Sequence, residues 1–346
     1  MSEASTPELA AAAAAREVKE ATRAYTTRDD RLAAASLLGS FAAYFVSLWA
    51  AIAAAPAWWL VVPLAILNAL AAGRLYVLQH DTGHASLFSS RRANDLAGYA
   101  ISTFTLTPYK AMRMNHNIHH AYLGNLDHRE STEVFTMTLR EWQEAGFWKR
   151  LGYRIYRSPL FILPFGGLFV YVIRYRWPKN AVKAGVAEIM LSNLAVFAWW
   201  GLIFALAGWT GLAIYGLTVV FAGVFGVFLV YLQHNFEDTY WDRKPDLSFD
   251  RATLHGSSAL DLGWWFDFAT ANIAYHDIHH FNPAIPSYRL RKCHRDLRER
   301  FSMRTIGWGE ALRSFTLKLW DEEAERLVPF PRAQRRAGAG EAQPAG

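Results

Sequence analysis

The chain has a single cysteine, Cys293, in 346 residues. A disulfide scaffold, a Cys₄ zinc site and a cysteine-held iron–sulfur cluster are thereby excluded within it. No Gly-x-Gly-x-x-Gly fingerprint or P-loop occurs, which excludes nucleotide binding by those means. Residues 1–31 lack the leucine-rich core of a signal peptide; they are rich in alanine and carry Glu8, Glu17, Glu20, Asp29 and Asp30. Charged residues make up only 19% of the chain, and they crowd into its ends and one central region. A soluble protein mixes charged and apolar residues more evenly; this segmentation belongs to a membrane protein.

Hydrophobic residues reach 52%. Four apolar stretches, residues 32–55, 57–78, 186–207 and 212–232, each match the ~20 residues that cross a bilayer. Tight junctions at Pro56 with Trp58 and Trp59, and at Gly208-Trp209-Thr210-Gly211, make each pair a helical hairpin. Neither junction holds a Lys or Arg. The basic residues lie at the other ends: Arg28, Arg31, Arg74, Arg91, Arg92, Lys179, Lys183, Arg243 and Lys244. By the positive-inside rule both hairpins enter from the cytoplasm and return to it. The net charge of +6 is therefore read as cytoplasmic loops, with no nucleic-acid partner.

Two shorter apolar stretches do not fit this scheme as spans. Residues 96–106 are too few. Residues 158–173 contain Pro159, Pro164, Gly166 and Gly167, with Arg154 and Arg157 before them and Arg174 and Arg176 after. Basic residues on both flanks make this segment interfacial or re-entrant. Thr6 followed by Pro7 fits the start of a short cytoplasmic helix. The expected fold is an all-α membrane protein: four transmembrane helices in two hairpins, interfacial or re-entrant helices, and a cytoplasmic cap rich in histidine. Its parts are an N-terminal segment, 1–31, a membrane domain, 32–328, and a disordered tail, 329–346. Both termini and the cap face the cytoplasm, in a bacterial inner membrane.

The histidines carry the strongest signal. Of twelve, His80 and His84 form an HxxxH pair, and His116, His119, His120 and His276, His279, His280 form two HxxHH triplets. Residues i, i+3 and i+4 share one face of a helix, so each cluster presents its imidazoles to one side. His234, at the end of the fourth span, is a ninth candidate. The topology brings all nine to one side of the membrane. Imidazole is a ligand for Zn, Cu, Fe or Ni, and nine are too many for one ion, so two metals are expected. His128, His255 and His294 lack such spacing and are left aside.

These residues resemble the three-histidine-box, membrane-bound fatty acid desaturase superfamily. The resemblance covers residues 77–293 and is closest to the acyl-lipid branch of omega-6, delta-12-like enzymes. It rests on His80-Asp81-Thr82-Gly83-His84, on residues 116–125, on Gln233-His234-Asn235-Phe236-Glu237-Asp238, and on Ile285-Pro286-Ser287-Tyr288-Arg289-Leu290 after the third box. It implies a four-span di-iron enzyme that uses O₂ and two electrons to place a cis double bond in an acyl chain. Carried over by position, one iron takes His80, His84, His120 and His280; the other takes His116, His119, His234, His276 and His279. Some relatives place a water-holding Asn where this chain has Val230; Asn272 is a candidate substitute.

Unactivated methylenes have no proton that a side chain could remove, so the chemistry needs a redox-active metal with open positions; zinc has no redox chemistry. Carboxylates that orient the imidazoles are sought at Asp81, Glu130, Glu237, Asp238, Asp261 and Asp277. The substrate is an acyl-lipid or acyl thioester held in an apolar tunnel. Without a cysteine cluster or nucleotide motif, electrons must come from a ferredoxin- or flavodoxin-like carrier. Arg289, Arg291, Lys292, Arg295, Arg298 and Arg300 offer it a basic docking surface, or else contact lipid headgroups. The alternatives are a hydroxylase or ketolase of an alkyl chain or carotenoid on the same scaffold, and, more remotely, a metal transporter. A transporter holds its ligands near the bilayer midplane, whereas these histidines lie outside the spans or at their ends.

Overall fold

The computed structural model describes residues 6–131, 134–301 and 303–331. It is mostly helical. Four helices are long and apolar enough to cross a membrane: Asp30–Ala53, Trp58–Gly83, Pro159–Arg176 and Val186–His234. The first begins where the Asp29 carboxylate accepts hydrogen bonds from the amides of Arg31 (3.0 Å) and Leu32 (3.1 Å). It pairs with the second through Asn68, whose amide donates to the Tyr44 carbonyl (2.6 Å) and Ser47 Oγ (3.0 Å). In lipid such polar bridges replace the hydrophobic drive that water would supply.

The second span runs past its expected end at residue 78 to Gly83. Hydropathy marks where lipid ends, not where the helix ends. The extra turn is held by Gln79, which donates to Ser102 Oγ (3.0 Å) and the Thr107 carbonyl (2.9 Å). The 49-residue run Val186–His234 is two spans in one. It breaks at Gly208, whose φ of 59° and ψ of −154° suit only glycine. Beyond it the chain doubles back. Trp199 meets Tyr215 with ring centroids 6.5 Å apart, and a Cβ on Gly211 would meet Ile203 and Ala207. Ala51, Val61 and Ile214 then pack the two hairpins together at the end remote from the histidines.

Pro159–Arg176 qualifies as a span by length, yet its contacts trace a dip. At one end Arg157 bonds to Asn235, just beyond His234. Midway, Gly167 lies so close to Gly223 that a Cβ would overlap its backbone. At the other end Arg176 donates to Asn193 Oδ1 (2.8 Å), near the start of the third span. Both ends thus lie on the histidine side, as a re-entrant segment requires. Proline and paired glycines break its hydrogen bonding into short helical pieces.

Over the histidine end sits a cap of short helices, two small sheets and the N-terminal helix Thr6–Thr22. Met137–Thr138 runs parallel to Leu319–Asp321, which pairs antiparallel with Arg326–Val328; Ala259–Leu260 pairs with Thr305–Ile306. These strands were not expected; two or three residues are too short to show a pattern. Phe330, in the segment expected to be a disordered tail, packs on Trp142 with ring centroids 4.7 Å apart, and residues 332–346 lie outside those described.

Arg157 fastens the cap to the spans. It is fully buried and donates to Thr136 Oγ1, Asn235 Oδ1, Tyr231 OH and the carbonyls of Phe135 and Leu317. Among the described residues no carboxylate neutralises it. Lys318 is buried beside it, and its Nζ donates to the Arg157 carbonyl (2.6 Å). Burial and the Arg157 charge hold the Lys318 ammonium down to about 7. Unfolded, this amine titrates near 10.5, so between the two pH values the unfolded chain binds the extra proton. Stability contributed here therefore rises with pH through that window. The thermal midpoint in detergent is expected to climb from pH 7 to pH 9, the stability from this one amine rising by at most ~1.4 kcal/mol per pH unit. Lys318→Met should flatten the profile; equal slopes in variant and parent would contradict this.

Candidate metal centre

Four elements end or turn at one place. The second span delivers His80 within its last turn and His84 as its C-cap. The helix Tyr109–Ala121 carries His116, His119 and His120, and the six-residue helix His276–Phe281 carries His276, His279 and His280. His234 closes the last span. All nine expected histidines meet there, in two groups. Ring nitrogens of His80, His84, His116, His120 and His279 lie within 4.8 Å of one another; so do those of His119, His234, His276 and His280.

The spacing inside each group is that of a coordination shell. In the first, Nε2 of His116 is 2.8 Å from both His80 and His120, and His120 is 3.0 Å from His279. In the second, His276 is 3.1 Å from His234 and 3.0 Å from His280, and His280 is 3.3 Å from His119. Two nitrogens at right angles on one ion, each ~2.1 Å from it, would lie about 3.0 Å apart. His84 Nε2 is buried in the first group without a hydrogen-bond partner. Imidazole nitrogens crowded this closely fit a cation between them.

This grouping corrects the division implied by the resemblance. His116 and His279 join His80, His84 and His120, while His280 joins His119, His234 and His276. The reason is helical geometry. Residues i and i+4 stack on one face, so His116 with His120, and His276 with His280, each serve one group. The i+3 residue lies to the side of that row, and His119 and His279 cross to the opposite group.

Burial, and next the neighbouring imidazoles, push His84, His116, His119, His120, His276, His279 and His280 well below the ordinary histidine range. They are held in the neutral, ligating form. Other groups aim the rings. His234 Nδ1 faces the Gly256 carbonyl at 2.9 Å. Asp81, buried, lies 3.4 Å from His80 Nδ1 and accepts a 2.7 Å bond from the Ser287 amide, tying the first box to the helix Ser287–Phe301.

Asp277 is also buried and lies 3.0 Å from His294 Nδ1, whose other nitrogen is 3.3 Å from Thr305 Oγ1. His294 has no spacing relation to the box it supports, because it lies on the following helix, Ser287–Phe301. The other carboxylates do different work: Glu237 pairs with Arg313 (2.8 Å), Asp238 with Arg304 (3.1 Å), and Asp261 is exposed. The Glu130 side chain lies outside those described. Asp277→Asn, or His294→Ala, should loosen the third box and weaken metal retention about 10- to 100-fold. Chelator titration of the purified protein checks this; retention equal to the parent's would count against the role.

Beneath the two groups lies an apolar cavity of about 80 Å³ between the spans. Its lining starts at Val77 and Val230, one turn from His80 and His234, and reaches Tyr44 and Tyr215. From Val230 to Tyr215 a helix rises about 22 Å, most of the ~30 Å hydrocarbon core. Small residues, Ala72, Gly73, Ala222, Gly223 and Gly226, keep it open. A knot of Tyr44, Phe104 and Trp199 rings, 5.3 to 5.5 Å apart, lies at the deep end.

Comparison with known proteins completes the picture. The fatty acid desaturase family model matches residues 56–310. The chain belongs to the fatty acid desaturase family. It is 33% identical over 269 residues to "Fatty acid desaturase" of Bacillus subtilis, covering 76% of each chain. It is 24% identical over 281 residues to an sn-1 oleoyl-lipid 12-desaturase of Picosynechococcus, covering 77% of this chain and 75% of that one. An sn-1 acyl-lipid omega-3 desaturase (ferredoxin) of Synechocystis is 28% identical over 239 residues, covering 63% and 62%.

This desaturase is an integral membrane enzyme, and its paired histidine groups are suited to metal. Val230, which stands where some relatives place an Asn, lines both the apolar cavity and a small gap beside His119 and His234. Asn272 takes a left-handed backbone, φ 68°, in the turn before the third box.

Proposed function

We propose that the desaturase acts on acyl chains while they are esterified to membrane glycerolipid, at two irons. His80, His84, His116, His120 and His279 hold one iron; His119, His234, His276 and His280 hold the other. The observation that carries this is the pair of separate imidazole groups standing over the mouth of the apolar cavity. Bound there, the irons would supply the redox chemistry with O₂ that no side chain here can perform. The protein supplies position: the cavity holds the chain so that two adjacent methylenes lie beneath the groups, which selects the bond. Its dry apolar walls exclude water from the reacting carbons.

Electrons come from a separate acidic carrier of the ferredoxin or flavodoxin class, docking on the cytoplasmic cap. A cavity of about 760 Å³ opens from that face onto His84, His120 and His280, beside Arg16 and Lys19 of the N-terminal helix. Part of the expected docking surface is already engaged: Arg291 pairs with Asp267, Lys292 with Asp296 and Arg300 with Glu17. Arg295 and Arg298 remain exposed. Expression in a host that supplies such a carrier, with analysis of fatty acid methyl esters by lipid class, tests the reading. New double bonds should appear first in intact glycerolipid; a double bond appearing first in the thioester pool would overturn the lipid-linked substrate.

A further inference from the structure

A second cavity, of about 570 Å³, lies beside the acyl cavity and shares Tyr76 with it. His116, from the first histidine group, also lines it. Its outer wall is the end of the re-entrant segment and the loop that follows: Arg174, Lys179, Asn180 and Lys183. Arg174, Lys179 and Lys183 are exposed and make no ion pair with any described residue, and among the described residues no acidic one lines the cavity. The Asn180 amide has no hydrogen-bond partner on either its oxygen or its nitrogen. Around these cations the surface is apolar and outward-facing at Ile173, Trp177 and Val182. Alternating exposed apolar and basic side chains mark the level where lipid meets water.

Three unpaired cations around a concave site call for a phosphate. The site adjoins the first histidine group through His116 and shares Tyr76 with the apolar cavity, where the Tyr76 ring meets that of Tyr171 with centroids 5.6 Å apart. A soluble acyl thioester would meet the other, water-facing opening over His84 and His120. We propose that the cavity bounded by Arg174, Lys179, Asn180 and Lys183 seats the headgroup of an anionic glycerophospholipid, with its acyl chain passing Tyr76 into the apolar cavity. This rests on the lipid-linked reading above and adds which headgroup is selected and by which residues. The same four residues set the depth at which the ester sits, and so contribute to the choice of the bond oxidised.

The test uses the full-length protein in neutral detergent, with dipalmitoyl phosphatidylglycerol and dipalmitoyl phosphatidylcholine as probes and native mass spectrometry as readout. The parent should retain phosphatidylglycerol in preference to phosphatidylcholine. The variant R174Q/K179Q/K183Q should lose about tenfold or more in phosphatidylglycerol affinity while phosphatidylcholine is unaffected. R91Q/R92Q/K149Q, which removes as much charge from other exposed positions, should not lose it. Lys179→Glu alone, a milder change, should shift the preference in the same direction. In turnover the triple variant should raise KM for the anionic lipid more than it lowers kcat. Equal losses in the two triple variants would overturn the site in favour of diffuse attraction. Displacement of the lipid by excess inorganic phosphate or coenzyme A at equal concentration would overturn the choice of a lipid headgroup. Selective retention without any desaturation would leave the pocket standing and remove the substrate reading; desaturation indifferent to headgroup would do the reverse.

Discussion

Alanine at His280 and alanine at His276 should remove the same metal. Each variant is expected to retain one of two metal equivalents, and the double variant H276A/H280A to retain that same one. By contrast H84A/H120A/H280A should lose both. The second group has only four imidazoles, so any loss leaves three, whereas the first has five. Turnover should fall by more than ~100-fold in every case, beyond the range typical of residues that merely orient ligands. The division that the family resemblance implies, with His280 beside His80, His84 and His120, predicts the opposite pairing. Metal analysis of protein purified without oxygen decides between them. Because Zn²⁺ outcompetes Fe²⁺ at nitrogen sites, zinc in such a preparation would count as occupancy, not as identity.

Ala222→Phe should abolish desaturation of long acyl chains while leaving both metals in place. Ala222 lines the apolar cavity midway along the helix between Val230 and Tyr215, and Ala72 and Gly73 of the second span line it too. A phenyl ring there competes for the space an acyl chain needs, and close-packed walls do not yield freely. The loss should be about 100-fold for long chains, since the reacting carbons can no longer be held in place. Chains short enough to stop above the ring should be spared. Metal content by mass spectrometry and product analysis across chain lengths measure both halves. A uniform loss across lengths, or loss of metal, would mean that the substitution disturbed the bundle instead of plugging the cavity.

Much of this was legible in the sequence because two signals are strictly periodic. Apolar runs of bilayer length gave the spans, and basic flanks gave the common side of their ends. The i, i+4 rule brought nine histidines to one place. The pairing across helices was not legible. Which group His279 or His280 joins depends on how a six-residue helix is rotated against its neighbours, and that is set by tertiary packing. The same holds for Asp277, whose partner His294 is aligned by the crossing of two helices. Arg157 reads as a flanking cytoplasmic charge, yet it is fully buried and gathers oxygen atoms from three separate stretches of chain. Nothing local distinguishes it from Arg154, three residues earlier, which lies over the Phe330 ring. The short cap strands escaped for the same reason, since two residues carry no alternation.

The most direct measurement of the central claim is a reconstitution. Protein loaded with iron is placed in phosphatidylglycerol-containing vesicles with reduced ferredoxin, and O₂ consumed is compared with double bonds formed in the intact lipid. Desaturation by two electrons from the chain and two from the carrier reduces one O₂ to water for each double bond. The account predicts that one-to-one ratio, no product without O₂, and no product from H280A. Oxygen retained in the lipid as a hydroxyl or keto group, or double bonds formed by the zinc-loaded protein, would contradict it.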